Sequence, residues 1–165
     1  MNITYPVFIM FMIISADERM KSMETESKLG FCRAGKEAKP FSVLLVDDEE
    51  YILAFVEIKL RVSGYQVSTA SDGVQALEMI KGRIPDLVII DLIMPRMDGT
   101  NLLKEIRKFS SVPVIILSAV DPQDAIIREL GDGIDDYIHK PFNPDDLVAR
   151  IEAIRRRKQG PGSTN

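Results

Sequence analysis

Leu87-Val88-Ile89-Ile90-Asp91 is the stretch that decides the fold. Four large apolar residues, three of them β-branched, run directly into a carboxylate. A run this short and this apolar reads as a strand buried on both faces. Such strands belong to a parallel sheet covered by helices above and below. The same signature occurs twice more, in Val43-Leu44-Leu45-Val46 closed by Asp47-Asp48, and in Val114-Ile115-Ile116-Leu117 closed by Ser118. Gln66 to Ala70 reads as a further short strand, and Tyr137-Ile138 as another, with Lys140 two residues beyond it.

Helical spacing fills the intervals. Residues 50–63 place Ile52, Leu53, Phe55, Val56 and Leu60 on one side, with Gly64 as the stop. Asp72 is placed to cap a helix carrying Val74, Leu77 and Ile80, and Asp98-Gly99 opens one through Leu102, Leu103 and Ile106. A helix is expected from about Asp121 to Leu130, and a last one from Asn143-Pro144 through Leu147, Ile151 and Ile154 to Arg157. Strands alternating with helices predict an α/β, doubly wound (βα)5 fold with a five-stranded parallel sheet. Right-handed crossovers and the flavodoxin-like arrangement give the strand order 2-1-3-4-5.

The chain has 165 residues, 45% of them hydrophobic and 28% charged, enough for one domain with a core and some excess. A formal net charge of −4 argues against nucleic acid as the main partner, because phosphate contacts need a basic surface. Cys32 is the single cysteine and His139 the single histidine, so neither an internal disulfide nor a Cys/His metal cluster can form. Residues 1–40 read as an N-terminal extension, polar and disordered in composition from Asp17 to Lys39. The apolar run Val7 to Ile14 is too short for a membrane span, which takes ~20 residues, and it fits a signal peptide poorly. Targeting segment, packing extension and misassigned translation start stay open. The last is favoured, because Met20 and Met23 follow at once. Residues 41–158 form the expected domain and 159–165 a flexible tail.

In a fold of this kind ligands bind beyond the carboxyl ends of the strands, where strand order reverses. The strand endings therefore define the candidate site. Strands one and three are expected neighbours, which crowds Asp47, Asp48 and Asp91 on one rim, with Ser118 and Lys140 beside them. Three carboxylates so close repel one another. Lys140 offsets one charge, and a divalent cation would cancel the remaining two. An all-oxygen donor set suits Mg2+ better than zinc.

These residues resemble a known family. Asp47-Asp48, Asp91-Leu92-Ile93-Met94-Pro95-Arg96-Met97-Asp98-Gly99, Ser118-Ala119 and Asp135-Asp136-Tyr137-Ile138-His139-Lys140-Pro141-Phe142 are similar to the receiver domains of two-component response regulators. Counted from Asp48, the four motifs stand 43, 27 and 22 residues apart, over roughly Phe41 to Lys158. The resemblance implies that Asp91 accepts a phosphoryl group from a phosphohistidine of a sensor histidine kinase. It also implies that Asp48 and Asp91 bind Mg2+ directly, Asp47 binds it through water, and the backbone carbonyl of Ile93 completes the set. Ser118, which stands where many relatives have threonine, and Lys140 would hold phosphoryl oxygens, across a cis Lys140-Pro141 peptide. Tyr137, three positions before the lysine, would turn inward as the switch. Asp47 and Asp48 also carry a plainer reading, as an N-cap pair for the first helix.

The resulting expectation is a stand-alone cytoplasmic receiver that catalyses only its own phosphorylation and dephosphorylation. It would signal to a downstream protein through the face of the fourth helix, fifth strand and fifth helix, which would also serve a homodimer. The alternative is an intermediate phosphate carrier in a phosphorelay. An aspartyl phosphatase is disfavoured, since that class needs a second carboxylate two residues after its nucleophile, where Ile93 stands. A receiver-like module that takes no phosphate is disfavoured by the intact acids and Lys140. Ile93 and Val120 flank the expected path of attacking water, which predicts slow self-hydrolysis.

Overall fold

The computed structural model describes residues 39–121, 123 and 131–159. The expectations for residues 1–38, for most of the helix between Asp121 and Leu130, and for the tail after 159 lie outside them.

Five strands form one parallel sheet: β1 (Ser42–Val46), β2 (Gln66–Ala70), β3 (Leu87–Ile90), β4 (Val114–Ser118) and β5 (Asp136–His139), in the order β2-β1-β3-β4-β5. The described helices are α1 (Glu50–Val62), α2 (Gly73–Gly82), α3 (Gly99–Arg107) and α4 (Pro144–Gln159), with a 3-10 turn at Gly131–Gly133 before β5. The predicted architecture and strand order are those observed, with strand ends moved by a residue or two.

The apolar runs are continuous because both faces of the sheet are covered. On one face Leu44, Val46, Val88, Ile90, Val114 and Ile116 pack with Ala76 and Ile80 of α2 and Leu102, Leu103 and Ile106 of α3. On the other, Val43, Leu45, Leu87, Ile89, Ile115 and Leu117 pack with Val56 and Leu60 of α1 and Leu147, Ile151 and Ile154 of α4. Successive residues of one strand thus feed two separate cores. All of β3 is fully buried.

Local signals set the helix ends. Asp72 accepts the N–H groups of Val74 and Gln75 at 2.8 and 2.9 Å, and Asp98 accepts that of Asn101 at 2.7 Å, so both cap as expected. Gly64, at φ +88°, closes α1 in a Schellman turn. In that turn the Tyr65 N–H donates to the Leu60 carbonyl and the Gly64 N–H to that of Arg61. The N-cap reading of Asp47 and Asp48 is corrected. The helix is capped by Glu49, whose side chain makes no capping bond, while the Asp47 carboxylate accepts the Glu49 N–H at 2.9 Å. At the sheet's edges, Arg61 donates to the Val67 carbonyl of β2 at 3.0 Å, and Arg150 pairs with Asp136 of β5 at 2.6 Å.

Register positions the strand endings. Val46 pairs with Ile90 and Ile90 with Ile116, so Asp47 and Asp91 follow side by side and Ser118, at the end of β4, joins them at one rim. Gly99 makes this rim possible. A Cβ there would lie 2.2 Å from the Asp91 carbonyl oxygen and 2.8 Å from the Leu92 Cα, both backbone atoms that cannot swing aside.

Two outcomes follow from these contacts. Gly99→Ala lowers the unfolding free energy by about 1–3 kcal/mol, read by urea denaturation. Asp98→Ala lowers it by about 1 kcal/mol at neutral pH. The Thr100 hydroxyl, with the Asn101 N–H and side chain, holds the Asp98 carboxyl below its ordinary value. A lowered native value means that the cap's contribution is complete above the unfolded value of about 3.9 and fades as pH falls through the native one. Urea midpoints of wild type and variant therefore converge in strong acid.

Candidate functional site

Asp91 follows β3, its N–H donating to the Val46 carbonyl at 2.9 Å, and its side chain is buried. Both carboxylate oxygens are held. The Ser118 hydroxyl donates to Oδ1 at 2.7 Å, joined by the Ile93 N–H at 3.1 Å, and the Lys140 ammonium donates to Oδ2 at 2.6 Å. Ser118 closes β4 with no exposed surface. Lys140 is drawn in by its own N–H, which donates to the Ser118 carbonyl at 2.9 Å, and the Lys140-Pro141 peptide is cis, as expected.

The ammonium has three protons and uses them on three carboxylates: Asp91 and Asp47 at 2.6 Å each, and Glu49 at 3.3 Å. Burial works against the charge of Lys140, yet its hydrogen bonds to Asp47 and Asp91 outweigh that and hold it well above the ordinary lysine range. Burial is also the largest influence on Asp47 and pushes its carboxyl up, against the pull of Lys140 and the Glu49 N–H. Asp48 points to solvent, but it, Asp47 and Asp91 offer oxygens within 4.8 Å of one another.

Tyr137 stands beside this rim, its hydroxyl donating to the carbonyls of Ser118, at 3.2 Å, and Val120. Burial, then the charges of Asp91 and Asp121, raise its phenol above the ordinary range. Ile93, two residues past Asp91, is 65% exposed.

The structure thus gathers Asp47, Asp48, Asp91, Ser118 and Lys140, with Ile93 and Tyr137 at the margin. Sequence reasoning missed two members. Glu49 brings the local charge to four negative against one positive, and its place directly after Asp47-Asp48 was the available signal. Arg96, in the loop after β3, pairs with the buried Asp72 carboxylate. Nothing in the local pattern marked that partner.

The sequence profile of the response regulator receiver domain matches residues 43–152. The chain belongs to the response regulator receiver family. Among solved structures, this receiver is similar to the Francisella response regulator 1452 receiver domain, at 40% identity and a TM-score of 0.67 over 73% of this chain and 99% of that one. It is also similar to a CheY-like receiver domain protein from Methanospirillum hungatei, at 30% identity and a TM-score of 0.67 over 74% and 100%. Curated relatives include a probable transcriptional regulator ycf27 from Guillardia theta, 48% identical over 115 residues, and one from Porphyridium aerugineum, 43% identical over 123. Those matches cover 70% and 74% of this chain but only 45% and 51% of the relatives. The chain therefore spans about half the length of the curated relatives it matches. Among the described residues no helix is long and apolar enough to cross a membrane.

The donor set of the receiver fits a hard divalent cation. Its ligand atoms are carboxylate oxygens alone, and the surplus negative charge at the rim is what such an ion would offset. Mg2+ at about a hundred times its dissociation constant is expected to raise the unfolding free energy by about 2.7 kcal/mol, seen as a rise in melting temperature. In Asp48→Asn most of that rise is lost, while the melting temperature without Mg2+ changes little because Asp48 is exposed.

Proposed function

We propose that this receiver accepts a phosphoryl group on Asp91 from a phosphohistidine of a sensor histidine kinase and switches conformation in response. One observation carries the reading. The Asp91 carboxylate is held by a hydroxyl on one oxygen and an ammonium on the other, within 4.8 Å of two further carboxylates at a strand-end rim. Positioning and charge neutralisation are what phosphoryl transfer chiefly asks of a protein.

In the transfer, an Asp91 oxygen bonds to phosphorus while the phosphorus–nitrogen bond of the donor imidazole breaks, its electron pair leaving with nitrogen. Asp48 and Asp91 would hold Mg2+, with Asp47 acting through bound water and the Ile93 carbonyl completing the protein's share. When bound, the ion supplies neutralisation of charge on the phosphoryl oxygens. Lys140 and the Ser118 hydroxyl, both already on Asp91, move from carboxylate to phosphoryl oxygens. Movement of Ser118 is felt at Tyr137, whose hydroxyl is bonded to the Ser118 carbonyl. The outcome is a population shift between two arrangements of the face expected from the fourth helix of the fold, β5 and the last helix, with the same face available for a homodimer. The protein turns over no substrate but its own phosphoryl group. Ile93 and Val120, both apolar, slow attack by water on phospho-Asp91.

The relatives' naming as transcriptional regulators bears on the output. We read it as DNA-directed, reached through a further region or a partner, in preference to stand-alone signalling or an intermediate carrier in a relay. Nucleic acid is then downstream of this domain, and the argument from net charge bears only on the receiver's own surface. The cytoplasm, where a kinase phosphohistidine is reached, is the compartment that suits this role.

Incubation with a small phosphodonor and Mg2+, followed by intact mass, tests the reading. Wild type gains one phosphoryl group that persists well beyond seconds, and Asp91→Asn gains none. Release of free phosphate over many turnovers would instead indicate a phosphatase, and an unlabelled wild type a module that takes no phosphate.

A further inference from the structure

The loop that carries Asp91 into α3 is held at both ends. At its base the Gly99 N–H donates to the Leu92 carbonyl at 3.0 Å, and Gly99 lies against the Asp91 backbone with no room for a side chain. At its tip Arg96 adopts φ +66°, a left-handed conformation that side-chain-bearing residues seldom take, and its guanidinium pairs with Asp72. The two partners differ in setting: the Arg96 side chain is 66% exposed, whereas that of Asp72 is 3% exposed. One Asp72 oxygen caps α2 through Val74 and Gln75, and the other takes the guanidinium. Beside the pair the loop backbone lies close over α2, for a Cβ on Gly73 would sit 2.6 Å from the Met97 carbonyl oxygen.

Between base and tip stands Ile93, whose N–H donates to the Asp91 Oδ1. The placement of this backbone, together with Ser118 and Lys140, sets which way the Asp91 carboxylate faces. A buried carboxylate that already caps a helix is a rigid anchor, and a charge-assisted pair to it is stronger and more directional than a neutral contact. An unusual backbone conformation retained beside a chemical site points to a positional role.

We propose that the Arg96–Asp72 pair is a strut that positions the Asp91 loop for Mg2+ binding and phosphoryl uptake, Arg96 acting as a positioning residue that touches neither ion nor phosphoryl group. The proposal rests on the phospho-acceptor reading of Asp91. Loss of the strut frees the loop tip, loosens Ile93 from Asp91, and leaves the acidic rim to be ordered when the ion binds. Groups that orient metal ligands from behind commonly govern affinity by 10–100-fold.

The full chain is compared with Arg96→Asn, Asp72→Asn, the double variant and Arg96→Lys. Asparagine at 96 tolerates the left-handed backbone but carries no charge, and asparagine at 72 keeps an acceptor for α2. Mg2+ affinity is measured by calorimetry well below the melting temperature, and the rate of phosphoryl uptake at saturating Mg2+ by intact mass. Each single change to asparagine lowers Mg2+ affinity by about tenfold, the double variant is no weaker than the weaker single, and Arg96→Lys recovers part of the loss. Uptake falls in parallel. Wild-type affinity and uptake in Arg96→Asn, with only the melting temperature moved, would reduce the pair to a stabilising contact and overturn the proposal. Additive losses in the double variant would overturn it as well. A wild type that binds Mg2+ but takes no phosphoryl group defeats the underlying reading and the uptake half of the proposal with it, while the calorimetric comparison separately decides the metal half.

Discussion

The ammonium of Lys140 is the constraint on which the site depends. Adjacent parallel strands β1 and β3 end in register, so their terminal carboxylates are forced together whether or not a ligand is present. Two buried like charges at that spacing would be costly, and a fixed cation between them is the protein's own remedy. The lysine reaches this place because its backbone N–H is bonded to Ser118 at the end of β4, while its ammonium joins the ends of β1 and β3. An ammonium shared among acceptors can also change partners with a small movement, since it is a point charge on a flexible stem.

Much of this could be read from the chain alone. Strands β1, β3 and β4 announce themselves because a strand buried on two faces has no polar position to blur it, and the first polar residue marks the rim. Asp72, Asp98 and Gly64 were legible for a related reason: a helix end needs a particular side chain or backbone angle within a few residues. The failures are of the opposite kind. Glu49 meets Lys140 across 91 residues, hinted at only by its place after Asp47-Asp48, and Arg96 meets Asp72 across 24, through a long side chain whose reach no local pattern encodes. The plainer reading of Asp47 and Asp48 as helix caps gives way because Glu49 takes the N-cap position, while the Asp47 carboxylate is held by Lys140.

The division of the core into two clusters gives the site a particular place in the molecule. Asp91, Ser118 and Lys140 stand at the ends of strands whose residues alternate between the two cores, so the rim borders both. A change at the rim can reach either helical layer without passing through the sheet. Tyr137 packs against one core while its neighbour Ile138 packs in the other, which puts β5 astride that boundary.

The open margins of the sheet have a further consequence for how the protein behaves in a crowded cell. Any sheet that does not close on itself offers unpaired backbone groups along its outer strands, an invitation to polymerise. Here Arg61 occupies one such carbonyl on β2, and β5 carries the Arg150–Asp136 pair along the opposite margin. Charged side chains at both margins disfavour the pairing of one sheet edge with another.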